Sequence, residues 1–257
     1  MTNQIRAYIK IQVTLFKMKI PLFYIPKTRH KYFLEIKKKY KSEKYIIPIG
    51  KDCHAAHSLD ILNIRNQSLP YDWIRLRSMS GLRTVSQNIQ ERFTFFLSDL
   101  KRNEKGNTYA EKYPEAEFTH AKAVTDDPKL RSTFEKRCQR ALDIISHQSV
   151  AFLHIIEITK FGFEEANSFC TMTKDFTKIL KPEDSLHIYM RFDEEIENEE
   201  ICNFLLNEIP KIPQVYITTY VREKTKHGIW GNENEYPQLY KSLNLKIKRV
   251  FPIIAIK

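Results

Sequence analysis

Apolar residues along the chain fall into short runs that alternate with segments of helical spacing. Five runs rich in β-branched and aromatic residues predict strands, at residues 46–50, 150–159, 186–192, 214–221 and 247–256. Periodic segments predict helices after Cys53 and at residues 86–100, 128–146, 163–180 and 195–208. The polar stretch 101–114, which contains Gly106 and Asn107, predicts a surface loop.

Strands that alternate with helices of about 12 to 18 residues indicate βαβ units. The pattern therefore predicts an α/β fold with a mainly parallel sheet, helices on both faces of that sheet, and a basic N-terminal arm before it. We expect the arm to span residues 1–44 and a single α/β domain to span residues 45–257. Ligands of such sheets bind outside the carboxyl ends of the strands.

The positive charge of the chain is concentrated near its start. Residues 1–45 contain twelve Lys or Arg and two Glu, whereas the remaining residues carry thirty basic and twenty-nine acidic side chains. A nearly neutral body lacks the broad positive surface that binding to a phosphate backbone requires. We therefore expect no nucleic-acid partner.

The arm permits two interpretations. Residues 27–44 form a solvated basic helix or linker, or they make weak, salt-sensitive contact with an anionic membrane. Residues 8–25 form a short strand or an amphipathic surface segment. Lysines and a proline interrupt this stretch, so it predicts neither a transmembrane helix nor a secretory signal. These features favour a cytoplasmic protein, with a peripheral position at the inner membrane face as the alternative.

The four cysteines show no paired spacing, which argues against a disulfide framework and a zinc finger. We expect a reducing compartment, no bound metal and no cofactor. The cysteines are Cys53, Cys138, Cys170 and Cys202.

Cys53 follows a strand and a tight turn at Gly50, and it opens a helix. The free N–H groups and the dipole at a helix start stabilise a thiolate, so we expect a lowered pKa for this thiol. Asp52 suits the N-cap of the same helix. The alternative is that Cys53 is a small buried apolar residue.

Three motifs carry a resemblance to a known family: Gly50-x-x-Cys53, Ser68-x-Pro70-Tyr71-Asp72-Trp73 and Phe118-Thr119-His120. Together they resemble a family of bacterial and viral proteins described as papain-like cysteine peptidases, which is also known as a domain of unknown function. The resemblance covers about residues 45–160. It implies Cys53 as the nucleophile and His120 as the base.

Departures from the family pattern leave the third member of a catalytic triad open. Ala121 stands where the family has an Asp, so Asp72 becomes the candidate that orients the imidazole. His57 is a rival base because positions i and i+4 share a helix face. We expect support for the site from four residues, namely Gly50, Asp52, His57 and Trp73.

The leading functional hypothesis is a cysteine-dependent hydrolase that acts on a peptide, acyl or glycan-type substrate. A second hypothesis is a glycosyl or acyl transferase of surface-glycan assembly, although the sequence has neither an Asp-x-Asp pair nor a Gly-rich phosphate loop. A third is a catalytically silent binding module, which the missing Asp after His120 favours.

Overall fold

The structure is a computed structural model that describes residues 12–13, 17–24 and 31–256, with side chains described for residues 36–254. Its strands are β1 (Gln12–Val13), β2 (Lys17–Tyr24), β3 (Lys31–Ser42), β4 (Tyr45–Pro48), β5 (Arg75–Leu76), β6 (Leu100–Arg102), β7 (Thr108–Ala110), β8 (Tyr113–Phe118), β9 (Val150–Ile156), β10 (Ser185–Phe192), β11 (Val215–Val221) and β12 (Ile247–Ile256). Its α-helices are α1 (His54–Ile61), α2 (Gly81–Gln90), α3 (Pro128–His147), α4 (Phe163–Thr177), α5 (Glu199–Glu208), α6 (Lys224–His227) and α7 (Tyr236–Ser242).

The described strands form three sheets of four strands each. One sheet, in the order β11-β10-β9-β4, is parallel throughout. The other two, β1-β2-β3-β12 and β5-β8-β7-β6, are antiparallel. The fold is mixed α/β as predicted, but the expectation of a mainly parallel sheet holds for one sheet of the three.

Strand β9 shows why the parallel strands could be recognised, because all seven of its residues are buried. Val150 and Phe152 belong to a hydrophobic cluster that also contains residues of α3, α4 and α5. Ala151 and Leu153 belong to a second cluster, which contains residues of α1 and α7. Neighbouring residues of a strand point to opposite faces, so this strand reads as a continuous apolar run.

The predicted helix at residues 86–100 is wrong in its position. Helix α2 begins earlier and ends at Gln90. Arg92 and Phe93 then adopt positive φ angles of 52° and 58°, which a continuing helix does not allow. Phe93 and Phe96 remain buried, but they pack from a series of turns. Their helical spacing therefore indicated burial without indicating a helix.

The loop predicted at residues 101–114 is also wrong. β6 and β7 pair there as an antiparallel hairpin, and β8 begins at Tyr113. Gly106, with a φ angle of 70°, lies in the connection, where its N–H donates to the carbonyl of Asn103 at 2.8 Å. Short strands on an open antiparallel sheet carry polar residues on one face, so they lack the apolar run of a buried strand.

The arm predicted at residues 1–44 lies only partly within the described residues. β2 is a strand, as one of the two interpretations of residues 8–25 has it, and the rest of that stretch falls outside the description except for β1. β3 pairs with β12 rather than forming a helix or linker. Among the described residues, no helix combines the length and the hydrophobicity needed to cross a membrane.

Candidate active site

Cys53 lies at the carboxyl end of β4, where the chain turns from the parallel sheet into α1. Gly50 makes this turn possible because a Cβ atom there would lie 2.3 Å from the backbone nitrogen of Ile155 in β9. The N–H of Ile49 still donates to the carbonyl of Leu153 at 2.9 Å, so the chain leaves the sheet directly after pairing ends. The predicted strand, turn and helix are thus present, and Cys53 is half-buried at the rim of the sheet.

A partly buried ionic network surrounds this turn. The Arg191 guanidinium, at the end of β10, donates to both carboxylate oxygens of Asp52 at 3.0 and 2.6 Å. It also donates to Glu157, which follows β9 and pairs with Lys51. The Arg191 side chain is only 4% exposed, so its charge depends on these carboxylates. The carboxyl ends of three neighbouring strands are therefore tied together by charge.

The network shifts the pKa values of its members. Burial opposes ionisation of Asp52, but the hydrogen bonds and charge of Arg191 outweigh burial and lower its pKa to about 2. Burial, with help from the nearby charge of Arg191, lowers the pKa of Lys51 to about 8. Asp52 is thus an anion under all ordinary conditions, directly beside Cys53.

The electrostatics of Cys53 correct the expectation of a lowered pKa. Cys53 itself occupies the N-cap position of α1, while Asp52 accepts a hydrogen bond from the N–H of His54 at 3.0 Å. Burial and the negative charge of Asp52 raise the pKa of the thiol above its ordinary value. The first N–H of the helix is therefore already bonded to the Asp52 carboxylate, and the thiol stays protonated at neutral pH.

His57 lies one helical turn beyond Cys53. Its backbone N–H donates to the Cys53 carbonyl at 2.9 Å, which places both residues on one face of α1. Its Nε2 lies 3.1 Å from a carboxylate oxygen of Glu233, and its ring stacks on Trp230 with the centroids 3.9 Å apart. In a neutral ring, an N–H at Nε2 donates to the carboxylate and Nδ1 keeps its lone pair. This is the tautomer that a general base needs.

His54 is a structural residue. It is buried, and its ring nitrogens bond the hydroxyl of Tyr189 at 2.8 Å and the carbonyl of Trp230 at 3.0 Å. Since a carbonyl only accepts, Nε2 carries the proton and Nδ1 accepts from the tyrosine. Burial and the charge of Arg191 lower its pKa to about 3, so the ring stays neutral. His54 fastens the segment of Trp230 to the sheet.

The segment that carries Trp230 and Glu233 is held at the end of β11. Arg222 donates to Asp193 at 2.6 Å and to the carbonyl of Ile229 at 2.9 Å. Gly231 has a φ angle of 72°, and a Cβ atom there would lie 2.4 Å from the Tyr220 hydroxyl. The close approach at Gly231 and the contacts of Arg222 thus fix the segment that brings Glu233 to His57.

The other predicted catalytic residues lie in a different environment. His120 is exposed, and its ring contacts Trp73 edge-on with the centroids 6.0 Å apart. It forms no hydrogen bond within the described part of the chain. Asp72 is buried and accepts from Arg65 at 3.0 and 2.5 Å and from the Leu69 N–H at 2.9 Å. Asp72 thus holds a turn, and no histidine is hydrogen-bonded to it in the described residues.

The structure therefore divides the predicted site residues into two groups. Gly50, Asp52 and His57 lie with Cys53 at the rim of the parallel sheet, whereas Asp72, Trp73 and His120 form contacts around Arg65 and Trp73. Neither the His57 ring nor the His120 ring is hydrogen-bonded to the thiol of Cys53 in the residues described. Among them, no group of three or more His, Cys, Asp or Glu residues could hold a metal ion.

Four residues of the rim were not predicted: Glu157, Arg191, Trp230 and Glu233. Two of them carry a signal in the sequence, because Glu157 and Arg191 are charged residues within otherwise apolar runs. A charge at the carboxyl end of a buried strand indicates a partner at the same rim. Trp230 and Glu233 lie in a polar connection and carry no comparable signal.

Comparison of the sequence with models of known protein families, with curated proteins and with solved structures gives no match. The resemblance to papain-like cysteine peptidases stays a prediction.

Proposed function

We propose that the protein is a cysteine-dependent hydrolase in which Cys53 is the nucleophile and His57, oriented by Glu233, is the base. The observation that carries the proposal is the hydrogen bond between His57 and Glu233 one helical turn from Cys53. It supplies the base and the orienting carboxylate of a catalytic triad. The proposal replaces His120 and Asp72 in those two roles.

The location of these residues supports the same function. We infer that helices cover both faces of the parallel sheet, because the two hydrophobic clusters take alternate residues of its strands. The carboxyl end of the sheet is then its open edge, where ligands of α/β proteins bind. Cys53 and His57 are both half-buried there, so each keeps access to a substrate.

The reaction follows from the groups present. The thiol proton passes to Nδ1 of His57 while the sulfur of Cys53 bonds the substrate carbonyl carbon. The leaving amine or alcohol takes that proton and departs, which leaves a thioester on Cys53. Water then gives a proton to His57 and attacks the thioester, and the departing sulfur recovers the proton as the acid product leaves.

Two features of the resting site bear on this mechanism. The raised pKa of Cys53 means that the proton must leave during attack rather than before it. The missing hydrogen bond between thiol and imidazole means that one side chain moves when substrate binds. The backbone N–H of Cys53 is hydrogen-bonded to no other residue in the described part of the chain and is the candidate donor to the oxyanion.

The test uses p-nitrophenyl acetate, a small activated ester that reports acyl transfer without a known substrate. We expect acetylation of Cys53, with His57→Asn lowering its rate about a hundredfold or more because the base is lost. The matched control is His120→Asn, which removes the rival base and leaves the rate unchanged. Released nitrophenolate gives the rate, and peptide mass spectrometry identifies the acetylated cysteine.

Two results would contradict the proposal. One is acetylation of Cys53 no faster than that of Cys170, a half-buried cysteine outside the site. The other is loss of acetylation in His120→Asn with His57→Asn unaffected, which would return the role of base to His120.

A catalytically silent binding module is the second candidate, and the raised pKa of Cys53 is the observation that favours it. Such a module would show no acetylation of Cys53 above the background at Cys170. Thermal stabilisation by acyl or glycan-type compounds would then support binding, because a ligand that binds only the folded state stabilises it.

A further inference from the structure

The antiparallel pair of β3 and β12 gathers positive charge on one structural unit. Residues 36–44 and 246–254, which we term the basic ribbon, together contain eight Lys or Arg and one Glu. The register sets Lys248 opposite Lys41 and Val250 opposite Lys39. Like charges that face each other across strands repel, so the ribbon carries an electrostatic cost that an anionic partner relieves.

The two faces of the ribbon differ in what they contact. Tyr40 and Ile247 pack against a hydrophobic cluster of the body. Lys39 and Lys41 alternate with Tyr40 and therefore lie on the other face, where both are exposed. Neither side chain has an ion pair or a hydrogen bond within the described residues. One face thus attaches the ribbon to the protein, and the other presents cations to solvent.

The ribbon also exposes apolar side chains. Phe251 is 79% exposed and Ile254 is 52% exposed. Phe251 lies where the ladder of β3 and β12 shifts register, between Val250 and Ile253. The register sets Ile254 opposite Ile36, on the face of Tyr40, whereas Phe251 follows Val250, the residue opposite Lys39. An exposed aromatic side chain beside lysines is the combination that enters the headgroup region of a membrane.

A cleft of about 540 Å³ borders the cationic face. Lys39, Lys41 and Val250 line one side of it, and amide side chains such as Asn66 and Gln67 also line it. Glu43 also lines the cleft, and its carboxylate lies within ion-pair distance of Lys246 and Lys248. The cleft thus offers ammonium and amide donors to a phosphate-bearing headgroup.

We propose that the basic ribbon docks this protein on a bilayer that contains anionic lipids. The inference is independent of the hydrolase. The docking surface combines part of the basic arm expected at residues 1–44 with the C-terminal strand β12. A bilayer is favoured over nucleic acid because exposed Phe251 accompanies the lysines, and because residues 45–245 carry a nearly balanced charge, with 26 basic and 29 acidic side chains.

The experiment is flotation of the full chain with phosphatidylcholine vesicles that contain about 30% phosphatidylserine, at low salt. We expect binding that is lost with pure phosphatidylcholine and weakened by added salt. The double change Lys39→Glu with Lys41→Glu should lower the partition coefficient at least about twentyfold, at about fivefold for each lysine removed. Phe251→Ser should lower it about fivefold by removing apolar contact.

The matched control is Lys136→Glu with Lys160→Glu, which changes the net charge equally at two exposed lysines outside the ribbon. Unchanged circular dichroism and melting temperature confirm that each variant is folded. Equal loss of binding in the control pair would overturn the proposal, since net charge alone would then explain it. Tight binding to duplex DNA without binding to the anionic vesicles would also overturn it, as would unaltered flotation of the ribbon variants.

Discussion

Asp52 and Asp72 are both largely buried aspartates that accept hydrogen bonds from an arginine, yet their pKa values move in opposite directions. Burial disfavours the charge of both carboxylates. For Asp52 the bonds and charge of Arg191 outweigh burial and lower the pKa to about 2. For Asp72 burial outweighs the Leu69 N–H and Arg65, so the pKa is raised.

The surroundings of the two arginines explain the difference. Arg191 is 4% exposed and donates hydrogen bonds to both oxygens of Asp52. Asp52 also accepts a hydrogen bond from the backbone N–H of His54. Arg65 divides its donors between Asp60 and one oxygen of Asp72, and the other oxygen of Asp72 is buried without a partner in the described residues. A buried carboxylate needs donors for both oxygens, and an arginine nearby is insufficient. The fully bonded aspartate is the one beside the candidate nucleophile.

The largest expected effect is on folding stability at neutral pH. Asp52→Asn should lower the free energy of unfolding by about 3 kcal/mol, because it removes a charge that balances buried Arg191. The matched change Asp72→Asn should cost about 1 kcal/mol, since burial already disfavours the ionised form there. Urea unfolding at pH 7 measures both. An equal or larger cost for Asp72→Asn would mean that the two pairs are energetically alike.

The pH dependence sharpens the comparison through its sign. The folded pKa of Asp52 lies below its ordinary value of 3.8, so its stabilisation is present above about pH 4 and is lost as pH falls toward 2. The cost of Asp52→Asn should therefore shrink by about 2 kcal/mol in acid. The pKa of Asp72 is raised, so the wild-type protein should gain stability over Asp72→Asn as pH falls.

Unfolding measured from about pH 6 to pH 2 for wild type and both variants separates these slopes. Buried histidines such as His54, with a pKa of about 3, also destabilise the protein in acid. Their contribution cancels in the comparison of Asp72→Asn with wild type, whereas Asp52→Asn also removes a charge that raises the pKa of His54. Parallel slopes for the two variants would contradict the opposite shifts.

The smallest expected effect is on the reactivity of Cys53. Burial and then the charge of Asp52 raise the pKa of its thiol, so Asp52→Asn should lower that pKa. Iodoacetamide labelling of Cys53 near neutral pH should become about three to ten times faster, and Asp72→Asn should leave it unchanged. Peptide mass spectrometry gives the rate for each cysteine. Equal acceleration at buried Cys138 would attribute the change to general unfolding instead.

The parallel sheet was predictable because strands buried on both faces are apolar throughout, as in β9 and β10. The antiparallel sheet of β5 to β8 was not, since its short strands mix polar and apolar residues and resemble loops. The helical spacing of Phe93 and Phe96 was misleading because a series of turns buries the same residues. Periodicity reports which residues are buried more reliably than how the backbone buries them.

The candidate site was predictable only as far as it is local. Cys53, Asp52 and His57 fall within one strand, turn and helix, so their spacing predicts their proximity. Glu233 lies 176 residues from His57, and only the folded chain brings the two together. The motif that pointed to His120 and Asp72 instead corresponds to a separate set of contacts around Arg65 and Trp73. Spacing along a chain cannot reveal a partner supplied by a distant loop.

The pairing of β3 with β12 has a consequence for the order of folding. Ser42 lies opposite Ile247, so this ladder closes a loop of about 200 residues. Closing so long a loop costs conformational entropy, and that cost falls only after the residues between the two strands have folded. The β3–β12 ladder therefore assembles late. The surface that joins the two segments then exists only once the native topology has been reached.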